Sequence, residues 1–174
     1  ILLAWQPGME GGASVADVLL GKVNPSGKLA TTFPMNYLDN PSSHNFPYDY
    51  SAAATGFRRG PAAPRKNVDY TAYEEGIYVG YRYFSTAGVE VSYPFGYGLS
   101  YTTFAYSKPV VKATADGFTA TITVTNTGKV AGKEAVQLYV TAPAGGLDKP
   151  ALELKAFAKT KELAPGESQT LTMN

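Results

Sequence analysis

The chain has 174 residues, 15 Lys and Arg against 14 Asp and Glu, one His, no Cys, 18 Gly, 12 Pro and an aromatic set of 13 Tyr, 8 Phe and 1 Trp. That length fits one or two domains, and a net charge of +1 gives no electrostatic reason to expect nucleic acid or an acidic membrane surface as a partner. The missing Cys excludes disulfides, thiolate metal sites and a Cys nucleophile, a single imidazole argues against zinc hydrolase chemistry, and the longest purely apolar run, Ile1 to Trp5, falls far short of the roughly 20 residues that span a bilayer.

Ile1 to Trp5 has the continuous apolar pattern of a strand buried on both faces. Pro7-Gly8 and Gly11-Gly12 turn the chain into a helix over Ala13 to Leu20, with Val15, Val18 and Leu19 on one apolar face and Gly21 at the C′ position. Strand, glycine turn and helix make half of an α/β unit, which needs parallel neighbours. The expectation is a cut edge of a larger domain at the N-terminus.

Residues 22 to 69 carry dense Pro and Gly punctuation, from Asn24-Pro25-Ser26-Gly27 to Ala63-Pro64, and read as an extended, wandering connection. Arg58-Arg59 with Arg65-Lys66 reads as a solvated surface. From Tyr70 to Tyr106 the chain turns aromatic, with Tyr78, Tyr81, Tyr83, Phe84, Tyr93, Phe95 and Tyr97 among ten or so rings that need a partner surface.

From Phe104 onward the period is two. Phe118, Ala120, Ile122 and Val124 alternate with Thr119, Thr121, Thr123 and Thr125; after the Asn126-Thr127-Gly128 turn, Val136, Leu138 and Val140 alternate with Gln137 and Tyr139. Leu152 to Ala158 is a weaker strand, Pro165-Gly166 a turn, and Gln169, Leu171 and Met173 a further strand. About five strands are expected here, against the ~7 of an immunoglobulin or fibronectin type III sandwich, so the sandwich is expected to be incomplete. The fold class expected is α/β plus all-β: the C-terminal remnant of an α/β sandwich domain over 1–34, a long connector with an aromatic-rich segment over 35–103, and an incomplete fibronectin type III-like β-sandwich over 104–174.

Few residues carry chemistry. Gly21 to Lys28-Leu29 fails the phosphate-loop pattern in spacing and hydroxyl, and Gly96-Tyr97-Gly98 lacks the third glycine of a dinucleotide fingerprint. Gly8 to Gly12 precedes a helix and its amides suit an anion, but tight turn packing explains the glycines as well. His44 lies in a loop with no G-x-S-x-G to serve. Glycoside hydrolysis needs two carboxylates about 5 to 9 Å apart. Glu10, Asp17, Asp69, Glu74 and Glu75 are candidates by type alone: Asp17 is expected to face solvent or a salt bridge, and Glu74 and Glu75 to diverge along an extended segment. No catalytic, cofactor-binding or metal-binding residue is assigned.

Ala4-Trp5-Gln6-Pro7-Gly8-Met9-Glu10-Gly11-Gly12, Ala16-Asp17-Val18-Leu19-Leu20-Gly21, Asn24-Pro25-Ser26-Gly27-Lys28-Leu29 and Thr32-Phe33-Pro34 are followed in order by Tyr73-Glu74-Glu75-Gly76-Ile77-Tyr78-Val79-Gly80-Tyr81-Arg82-Tyr83-Phe84 and Pro94-Phe95-Gly96-Tyr97-Gly98-Leu99-Ser100-Tyr101-Thr102. Then come Val124-Thr125-Asn126-Thr127-Gly128, Gly132-Lys133-Glu134 with Val136-Gln137-Leu138-Tyr139, and Leu163-Ala164-Pro165-Gly166-Glu167-Ser168. Together these resemble glycoside hydrolase family 3, the β-glucosidase and β-xylosidase family.

The resemblance implies a three-part enzyme: a (β/α)₈ barrel with an Asp nucleophile, an α/β sandwich with a Glu acid/base, and a fibronectin type III-like domain. It places both catalytic carboxylates upstream of this chain, implies retention through a glycosyl-enzyme without cofactor, and makes a β-linked glycoside the substrate through those upstream domains. The absence of Cys leaves the compartment open, and a periplasmic or secreted bacterial protein is the expectation. The isolated chain is expected to aggregate or to order through strand exchange or homo-oligomerisation. Two other readings stay open on the residues alone: a non-catalytic carbohydrate-binding or adhesion sandwich, and an interaction protein docking through its tyrosines.

Overall fold

In a computed structural model, residues 1–44 and 73–174 are described. The chain forms mostly sheet with few helices. It divides into two compact units, one of residues 1–28, 98–139 and 154–174, the other of residues 29–97 and 140–153.

In the first unit, α1 (Gly11–Leu19) ends as its sequence indicates. Gly21, at φ +73°, donates to the Val18 carbonyl at 3.0 Å while Lys22 donates to that of Asp17 at 2.9 Å, the paired bonds of a left-handed C-terminal cap. Val15 and Val18 are half-buried, whereas Leu19 stays exposed. Ile1 to Trp5 is not a strand and is exposed. The apolar run fails as a strand because strand geometry is stable only with hydrogen-bonded neighbours, and no described strand lies beside it.

The rest of this unit is the β-region, whose strands are β3 (Phe104–Tyr106), β4 (Val110–Thr114), β5 (Gly117–Asn126), β6 (Ala135–Val140), β7 (Glu153–Lys159) and β8 (Ser168–Met173). Six strands stand where about five were expected, because the first stretch is split. β3 pairs with residues 124–126 of β5 and β4 with residues 117–121, antiparallel and end to end along one edge. Pro109, without an N–H, sits at the break, and Ser107 repairs the ladder there: its N–H donates to the Thr123 carbonyl and its Oγ accepts from the Thr123 N–H at 3.0 Å. β8 runs antiparallel along the other edge of β5, and β6 pairs with β7 in a second sheet.

Alternation assigns the two faces of β5. Ala120, Ile122 and Val124 point inward opposite Met173, Leu171 and Gln169. The outward threonines pair with hydroxyls of β8: Thr121 with Thr172, Thr123 with Thr170 and Thr125 with Ser168. Val124, Val136, Leu163, Leu171 and Met173 form the core, flanked by Phe104, Ile122, Leu138, Ala156 and Ala158. Each such large side chain contributes about 1.5–3 kcal/mol on burial.

The second unit pairs β1 (Phe33–Pro34) with β2 (Val91–Tyr93), and its helix α2 (Tyr81–Ala87) lies inside the aromatic stretch. Gly80 at φ +58° precedes α2, and Gly88 at φ +67° closes it with an N–H donated to the Phe84 carbonyl. Among the described residues no helix is long and apolar enough to cross a membrane.

Candidate functional site

Among the described residues, the carboxylates singled out by type lie at different places. Glu10 precedes α1 without capping it through its side chain, and Asp17 pairs with Lys22 at 3.2 Å on the surface. Asp69, Arg58, Arg59, Arg65 and Lys66 lie outside the described residues. Glu74 and Glu75, expected to diverge, instead sit at a turn and line one cleft of about 480 Å³ with Asp39, His44 and Tyr83. Asp39 is already committed there, since its Oδ2 accepts from the Asn36 N–H at 2.8 Å. Among the described residues no group of three or more His, Asp or Glu side chains is arranged to hold a metal ion.

The polar groups that do converge belong to the Asn24-to-Lys28 motif. Asn24 Nδ2 donates to the Ala131 carbonyl at 2.9 Å, and its Oδ1 accepts from Ser100 Oγ and from the Tyr101 N–H. Lys28 Nζ lies 3.1 Å from Glu134 Oε1 and 3.3 Å from the Gly98 carbonyl. Tyr106 Oη donates to the same Glu134 oxygen at 2.7 Å. Burial, then that hydrogen bond to a carboxylate, holds the Tyr106 phenol well above its ordinary range. Glu134 is itself fixed through its backbone, its N–H donating to Thr160 Oγ1 and its carbonyl accepting from the Thr160 N–H, both at 2.9 Å. Tyr101 Oη adds a bond to the Val18 carbonyl of α1. Gly98 has to lack a side chain, because a Cβ there would run into the Gly27 carbonyl.

A second polar centre is Asn126, which has no exposed surface. Its Oδ1 accepts from Thr102 Oγ1 at 2.6 Å and from the Gly128 N–H at 3.0 Å, and its Nδ2 donates to the carbonyls of Val130 and Leu163, both at 2.8 Å. The side chain thus uses all four of its hydrogen-bonding positions. Sequence reasoning found the turn at this position but not the burial; neither Lys28 nor Glu134 was marked, since their partners lie far along the chain.

The tyrosines pack among themselves in the second unit. Tyr81 lies 5.0 Å from Phe95 and Tyr93 lies 5.0 Å from Tyr97, ring centre to ring centre, while Phe33 meets Tyr93 edge-on at 6.4 Å. The loop between β6 and β7 ties onto this element: Tyr78 Oη donates to Asp148 at 2.5 Å, the Ala151 N–H donates to Thr86 Oγ1 at 2.9 Å, and Arg82 lies 3.7 Å from Glu153.

Residues 1–81 match the glycosyl hydrolase family 3 C-terminal domain, and residues 134–174 match the fibronectin type III-like domain. The chain is similar to the C-terminal part of glycoside hydrolase family 3 enzymes. Among curated relatives, Beta-glucosidase A of Butyrivibrio fibrisolvens is 47% identical over 99% of this chain and 21% of its own length, and a Beta-glucosidase of Ruminococcus albus is 46% identical over 99% and 16%. Beta-glucosidase 3B from Thermotoga neapolitana, solved in complex with alpha-D-glucose, superimposes with a TM-score of 0.84 at 49% identity, over 98% of this chain and 22% of that one. The chain therefore spans about a fifth of the length of the relatives it matches, and its first half matches the C-terminal domain of the family.

Proposed function

We propose that this chain is the supporting portion of a retaining, exo-acting β-glucosidase that hydrolyses terminal β-linked sugars. The observation that carries this reading is the superposition on a β-glucosidase solved with glucose, over nearly the whole chain at 49% identity. In the proposed enzyme one upstream carboxylate attacks the anomeric carbon and a second alternates as acid and base. Both belong to domains before Ile1, and Glu10, Asp17, Glu74 and Glu75 take neither role. The division into the end of an α/β sandwich over 1–34, a connector over 35–103 and an incomplete fibronectin type III-like domain over 104–174 is part of the same proposal.

The contribution of this portion is mechanical. Asn24 and Lys28 fasten the segment that carries α1 to the β-region through half-buried polar bonds, which holds that segment in place against the strands. Extending the reading frame upstream should uncover a barrel with an Asp nucleophile and an α/β domain with a Glu acid/base. The 174-residue chain should leave aryl β-glucosides unhydrolysed. Turnover by the isolated chain, or a start codon directly before Ile1, would overturn the reading.

A further inference from the structure

We draw no further inference here: the strongest candidate, the cleft of about 480 Å³ in the second unit lined by Asp39, His44, Glu74, Glu75 and Tyr83, rests on an acidic cluster alone, since nothing in the structure points to a ligand for it.

Discussion

Lys28 sets its ammonium 3.1 Å from the Glu134 carboxylate, and the two side chains are only 16% and 11% exposed. Removing either partner strands the other charge where water is scarce, and the Coulombic gain no longer offsets its desolvation. Lys28→Met and Glu134→Leu should each cost about 3 kcal/mol in urea denaturation. The double variant should cost clearly less than the two together, because no orphaned charge remains.

Asn126 predicts a sharper asymmetry. Asn126→Ala takes their Asn126 bonds from Thr102, Gly128 and the Val130 carbonyl and leaves the Leu163 carbonyl only the Gly132 N–H, and should cost about 4 kcal/mol. Asn126→Asp keeps the shape but points a carboxylate oxygen at the carbonyls of Val130 and Leu163. That carboxyl is destabilised when charged, so its folded-state pKa rises and the variant should regain stability as the pH is lowered. Melting curves at pH 5 and pH 8 check the sign.

Two ionisable groups shape the pH limits of stability. The Lys161 ammonium, at 2.6 Å, and then the Ala164 N–H hold the Glu167 carboxyl below its ordinary value. A depressed folded-state pKa contributes stability that is complete above the unfolded carboxyl value and fades as acid titrates the folded form, so Glu167→Gln should flatten the acid limb. Tyr106 acts in the opposite direction. Its raised folded-state pKa contributes stability that is complete below about pH 10 and is lost as the unfolded and then the folded phenol ionise, so Tyr106→Phe should flatten the alkaline limb.

Gly98→Ala tests the close approach of two backbones. The new Cβ meets the Lys28 side chain, which can move, and the Gly27 carbonyl, which is backbone and cannot swing aside, so a loss of about 2 kcal/mol is expected in thermal unfolding.

The β-region was legible because one face of each strand is wet. Thr119 to Thr125 alternate with Phe118 to Val124, and that period survives into the structure residue by residue. Gly21 was legible for an equally local reason, since a helix cap depends on four or five consecutive residues. Helix α2 was not: Tyr81, Tyr83 and Phe84 favour strands by propensity, and the flanking Gly80 and Gly88 decide the matter instead. Ile1 to Trp5 misled in the other direction, because an apolar run announces a strand only where other strands stand ready to receive it. The Asn24 and Lys28 contacts escaped for a different cause. Their partners lie a hundred or so residues downstream, and no spacing rule reaches that far.

That separation has a bearing on how the chain is made. Asn24 leaves the ribosome 107 residues before Ala131, the carbonyl that receives its amide. At about 5–20 residues per second, the helix-bearing segment waits roughly 5–20 s before the surface that fastens it has been synthesised. The segment around Asn24 is thus open to chaperones and proteases for an interval set by translation speed.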